Sequence, residues 1–285
     1  MPEFISTSAV PAKGSAPMFT AASVEARWVR VIARGIVLCS IVAGCATVPE
    51  HDAGLSLAEF NALPTDYRIL YEPGAEVFAR RLAPLLPGAV AEVEAAHYRP
   101  FAKRVAVHIC GTAECFNSYV PEPTNLAAAV VFDNRVLLHP RLFTHEPDRL
   151  EPILVHELSH LHLGQRIGHY SKSVPVWFHE GLASLAAKGG GADLVSEEQA
   201  RQAILAGKHF DPAMQHGVAG DNLSMALFYR QCLMFVARLQ AQSATRFREL
   251  LLAIQRRESF DSAFTSAYGH DWVSAAREFF AALRE

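Results

Sequence analysis

His156-Glu157-Leu158-Ser159-His160 sets two imidazoles four residues apart, and twenty positions after the second comes Glu180, inside Trp177-Phe178-His179-Glu180-Gly181-Leu182-Ala183. On a helix, residues four apart differ by about 40° of rotation, so both rings leave one face and can meet a single metal ion. Glu157 stands about 100° round the helix from His156. Its carboxylate can flank the metal and touch a water held there without being a ligand, which is where a general base belongs. Glu180 adds a third ligand. Three protein ligands leave one zinc position for water, as in a catalytic site and unlike a closed structural one. The expected chemistry is hydrolysis assisted by one Zn²⁺, with His156, His160 and Glu180 as ligands and Glu157 as catalytic base.

The flanking residues predict the elements that must hold this set. Pro147-Asp148-Arg149-Leu150-Glu151-Pro152 puts proline and acidic residues in a first turn ahead of the apolar run Ile153-Leu154-Val155, as a buried helix requires. Val174-Pro175-Val176-Trp177-Phe178 opens a second helix that runs to about Ala187, before Gly189-Gly190-Gly191 breaks it. His162 points away from the metal by helix rotation, and so does His179, next to Glu180. His169, between the two motifs, reads as a solvated loop histidine.

An HExxH followed twenty residues later by glutamate resembles the gluzincin metallopeptidases. The tryptophan before Glu180 and the Glu-Gly-Leu-Ala that starts at it are similar to the compact bacterial peptidase-MA-like group. The resemblance covers about residues 100 to 240 and implies zinc-dependent cleavage of a peptide or protein substrate. It also implies a tyrosine or histidine beyond the glutamate ligand that donates to the transition-state oxyanion; Tyr229 resembles that position, with a plain core tyrosine as the alternative. Gluzincins bind substrate backbone along an edge strand before the HExxH helix. The run Ala127 to Phe132 is the candidate, an interior strand being the alternative. One departure concerns the aspartate that orients a ligating histidine in thermolysin-like enzymes: this chain has Ser184 there, a weaker acceptor.

Two other functions are compatible with the motif. One is a non-catalytic, zinc-holding envelope lipoprotein with a peptidase-like fold. Against it stands Glu157, which only catalysis requires. The other is a zinc hydrolase for a non-peptide amide or ester.

Arg27, Arg30 and Arg34 precede an uncharged stretch, Gly35 to Val48, that contains Val42-Ala43-Gly44-Cys45. This resembles a bacterial lipoprotein signal spanning residues 1–44, with Met18 a candidate natural start and lipid on Cys45. The apolar run falls short of the about 20 residues that a bilayer span needs. Ala46 after the cysteine, in place of aspartate, resembles outer-membrane lipoproteins. The protein is therefore expected at the cell envelope, facing the periplasm, held to the membrane by its lipid anchor and a tether over residues 45–57.

Cysteine usage agrees with export. Cys110 and Cys115, separated by four residues, read as a disulfide in an oxidising compartment, with two buried thiols as the alternative. Cys232 lies in an apolar helical run and reads as core. The chain carries 26 Lys plus Arg against 29 Asp plus Glu, and removing the leader's four basic and two acidic residues takes the net charge from −3 to −5. Nucleic acid is not an expected partner.

The remaining residues, 58–285, are expected to form one zincin-like domain of α+β class. Its β-containing lobe would run to about 165 and its mainly helical lobe from about 175 to 285, strands first and helices afterward. Within it, 74–97 reads as helix interrupted at Pro84 and Pro87, and Val105 to His108 as a strand. Ala127 to Phe132 and Arg135 to His139 form a hairpin turning at Asp133-Asn134. Ser196 to Ala206, Ser224 to Leu239, Ala244 to Gln255, Ser259 to Tyr268 and Trp272 to Leu283 read as helices.

Overall fold

The computed structural model describes residues 59–120, 128–169, 172–211 and 224–284, which belong to one unit, Glu50–Glu285. The leader, the tether to residue 57, Cys45 and Ala127 lie outside the described residues. The fold is mixed α and β: a small five-stranded sheet and a larger number of helices.

A short hairpin begins the sheet, β1 (Asn61–Leu63) against β2 (Asp66–Tyr71), neither foreseen from the sequence. The chain then runs through α1 (Glu76–Leu82) and α2 (Leu86–His97) to β3 (Val107–Ile109), which pairs in parallel with β2. Parallel neighbours cannot be joined by a tight turn, so the helices must intervene. The expected order, strands before helices, is corrected accordingly. Pro84 lies in the break between the helices, whereas Pro87 sits in the first turn of α2, where its missing N–H removes no bond.

After α3 (Ala113–Tyr119), β4 (Ala129–Phe132) and β5 (Arg135–Leu138) form the anticipated hairpin. Asp133 and Asn134 both adopt positive φ, 41° and 61°, which suits the twist of a two-residue hairpin turn. The strand order is β1-β2-β3-β5-β4, so β4 is an edge strand and not an interior one.

Next come α4 (Arg141–Thr144), a single 3₁₀ turn at Pro147–Arg149, α5 (Leu150–Ile167) and α6 (Val176–Ala186). The chain ends with α7 (Glu197–Leu205), α8 (Met225–Gln242), α9 (Ala244–Gln255), α10 (Phe260–Tyr268) and α11 (Trp272–Ala282). The starts of these five are set by local chemistry. Ser196, Ser224, Ser243, Ser259 and Asp271 each accept a backbone N–H from the first turn, and Ser196 forms a reciprocal capping box with Gln199.

Two main cores result. One packs Val107, Ile109, Val136 and Leu138 of the sheet with α2 and with Leu154, Leu158 and Leu161 of α5. The other gathers aromatic rings, with Trp177 and Phe178 of α6 among Phe235, Phe247, Phe260 and Phe264. Burying each such ring contributes roughly 1.5–3 kcal/mol. Leu163 of α5 belongs to the helical core, and Ala186 of α6 to the sheet core. Both helices are thus held from two sides, which makes them a stiff platform for side chains on their shared face. Among the described residues no helix is long and apolar enough to cross a membrane.

Candidate metal centre

α5 carries His156, Glu157 and His160, and α6 carries Glu180. Nε2 of His156 and Nε2 of His160 are 3.1 Å apart, and Oε2 of Glu180 lies 3.3 Å from the first and 3.4 Å from the second. Three donor atoms therefore converge on one small space. A tetrahedral zinc ion bonded at about 2.0–2.1 Å holds its ligand atoms about 3.3 Å apart, so this triangle has the right size. Nε2 of His156 faces Nε2 of His160, a pair that either a shared proton or a bound cation can bridge. The donor set, two imidazoles and a carboxylate, fits zinc.

The second requirement is a fixed tautomer. Nδ1–H of His156 donates to the carbonyl oxygen of Gly190 at 3.0 Å, which leaves Nε2 with its lone pair toward the triangle. Oγ of Ser184, fully buried, is 3.5 Å from the same Nδ1, at the outer limit of a hydrogen bond. The orientation of the His156 ring thus comes chiefly from a backbone carbonyl, with the Ser184 hydroxyl at the edge of reach. Glycines make that approach possible. A Cβ at Gly191 would lie 2.4 Å from Nδ1 of His156, and one at Gly190 would lie 2.6 Å from the carbonyl oxygen of Pro152. Arg149 grips Asp193 through Nε at 2.7 Å and a second nitrogen at 3.2 Å, tying the glycine turn to the start of α5.

Glycine also serves the other side of α6. A Cβ at Gly181 would stand 2.5 Å from both the Cys232 carbonyl oxygen and Cγ2 of Val236, so α8 lies directly against the backbone beside Glu180. Behind α5, the buried His97 shares a 2.7 Å hydrogen bond between Nε2 and Oγ of Ser159, the residue before His160. His162 does point away, its ring tilted against that of His97 with centroids 4.2 Å apart and its Nε2–H donating to the Arg99 carbonyl at 2.8 Å.

Electrostatics divide the carboxyls. Burial alone would raise Glu180, but His160, with hydrogen bonds from both histidines, outweighs it and holds the group well below the usual carboxylate range. Burial opposes protonation of His160, and the Glu180 carboxylate overcomes it and raises this imidazole. Glu157 is raised by burial, reinforced by Glu180 and opposed by the two histidines. One carboxyl is thus kept anionic, as a metal ligand needs to be, while the other is moved toward the range where it can exchange a proton. The site is not closed: His160 and Glu180 side chains remain 20% and 18% exposed against 6% for His156, so solvent touches the triangle from their side.

Tyr229 is half-buried at the edge of the helical core, one turn before Cys232 on α8. The ring of His179 lies 6.4 Å from that of His160, nearer the site than helix rotation suggested. His169 is a turn residue, half-buried rather than fully solvated. Its ring lies against α5, where a Cβ at Gly164 would be 2.5 Å from Nδ1, and burial lowers its pKa. Cys110 and Cys115 form a disulfide, and Cys232 is a buried free thiol. Sequence reasoning missed the role of Gly190 and Gly191, which it took only as a helix breaker. Three glycines directly after a ligand-bearing helix were the available signal, since glycine also marks close approach.

No family model, curated protein or solved structure matches the chain. The functional reading therefore rests on the residues and their geometry.

Proposed function

We propose that the protein is a zinc metallopeptidase of gluzincin type, zincin-like in its active-site half, acting on peptides or proteins at the bacterial cell envelope. The observation that carries this reading is the convergence of His156, His160 and Glu180 donor atoms at 3.1–3.4 Å, with Glu157 adjacent and outside the triangle. His156, His160 and Glu180 would hold one zinc ion, which supplies a water of lowered pKa and polarises a substrate carbonyl. Glu157 accepts the water's proton and returns it to the leaving amine, a role that suits a carboxyl raised by burial. Tyr229 of α8, half-buried against the helical core, is the candidate donor to the oxyanion, a contact worth on the order of a few kcal/mol. The edge position of β4 supports substrate binding by strand addition.

The envelope location rests on Val42-Ala43-Gly44-Cys45 behind three arginines, with Cys45 lipidated and the catalytic unit facing the periplasm. Zinc content and turnover of an unbiased peptide library by protein lacking residues 1–44 test the activity together. One zinc per chain with peptide cleavage is expected. Zinc without cleavage of any peptide would leave a metal-holding scaffold or a non-peptide hydrolase, and absence of zinc would refute the centre.

A further inference from the structure

We propose that reduction of the Cys110–Cys115 disulfide creates a second metal site, separate from the histidine centre, in which both thiolates and the Glu72 carboxylate bind a thiophilic divalent cation. A carboxylate oxygen of Glu72 and the Sγ atoms of Cys110 and Cys115 all lie within 4.8 Å of one another, and all three residues are buried. The two cysteines are separated by four residues, a spacing found in zinc sites.

Glu72 is the unusual member. It is only 8% exposed, and among the described residues no lysine, arginine or histidine pairs with it. Its Oε2 accepts the N–H groups of Gly111 at 2.6 Å and Thr112 at 3.1 Å, and the Thr112 hydroxyl lies 3.4 Å from both its oxygens. These donors aim the carboxylate at the cysteine loop, as outer hydrogen bonds aim a metal ligand. A Cβ at Gly111 would sit 3.3 Å from that oxygen and 3.1 Å from Cβ of Ala75, so the small residue lets loop and carboxylate meet. A buried carboxylate already held by N–H and O–H donors is positioned to ligate a dication.

The chemistry balances with a dithiol as reductant. Two electrons and two protons pass from the dithiol to the protein disulfide, the S–S bond breaks to give two thiols, and the dithiol closes to its own disulfide. Metal binding then releases the two thiol protons to solvent. Two sulfurs and one carboxylate oxygen favour Zn²⁺, Cd²⁺ or Co²⁺ over Mg²⁺ or Ca²⁺. Disulfide and metal are mutually exclusive, so among the described residues reduction adds one candidate metal site to the histidine centre.

Co²⁺ separates the sites by spectrum, because thiolate ligands give a near-ultraviolet charge-transfer band that imidazole and carboxylate ligands do not. The full chain is titrated with Co²⁺ as oxidised protein, and again after dithiol reduction and removal of the dithiol without air. The oxidised protein should show no thiolate band, and the reduced protein should show one, with one additional Co²⁺ per chain. Glu72→Gln should weaken this binding at least about tenfold. Cys110→Ser/Cys115→Ser should abolish the band, while His156→Ala/His160→Ala should keep it. A disulfide that resists the dithiol in folded protein, no band after reduction, a band that survives the double serine change, or an affinity unchanged by Glu72→Gln each overturns the proposal. The oxidised-against-reduced comparison needs no variant, so it decides even where a substitution impairs folding.

Discussion

Nδ1 of His156 donates to the carbonyl oxygen of Gly190 at 3.0 Å, across 34 residues of sequence. That contact sets which ring nitrogen can bind a metal, and it exists because the chain after α6 turns back over α5 with no side chain in the way. The turn uses positive φ at Lys188, Gly189 and Gly191.

Gly191→Ala should therefore lower zinc affinity by about 10- to 100-fold, the range for losing an outer-shell partner. Gly189→Ala is the control. It bears a similarly strained φ, +106° against +82°, but its added methyl would meet nothing within 4 Å. Both changes should cost stability through backbone strain. Only the first should weaken metal binding in a competition titration against a chelator.

The comparison of sequence with structure turns on the same residues. His156, His160 and Glu180 were legible because helix periodicity fixes which side chains share a face, and one apolar run marks each helix. The capped helices from α7 onward were legible from single Ser or Asp residues. Gly190 was not, because its contribution is a carbonyl that every residue possesses. Only the fold decides where that carbonyl goes. β1 and β2 were missed for a related reason. They are short and half-exposed, and parallel pairing of β2 with β3 spans two helices.

Acid should destabilise the fold in a defined window. Burial, with Arg135 adding to it, pushes His108 down to about 4, and burial likewise brings His162 to about 4. In the unfolded chain histidine protonates near about 6.5, so between these values the unfolded state binds more protons. The part of the stability carried by His108 and His162 is full above about pH 6.5 and is lost as pH drops toward about 4, with His108 contributing on the order of 3 kcal/mol. Denaturant midpoints measured from pH 7.5 to 4 should decline. His108→Asn should flatten that decline, and an unchanged slope would contradict the assignment.

Cys45→Ser should release the protein from the membrane fraction or leave its leader uncut, read by fractionation and mass of the mature chain. Normal processing with unchanged membrane association would count against lipidation.

The most direct test is Glu157→Gln, which keeps the size and hydrogen bonding of the side chain but removes its basicity. With His156, His160 and Glu180 untouched, one zinc ion per chain should remain, while peptide hydrolysis falls at least about a hundredfold. Retained zinc with undiminished turnover would mean that another group activates the water, and loss of zinc would make Glu157 a ligand; either result contradicts the account.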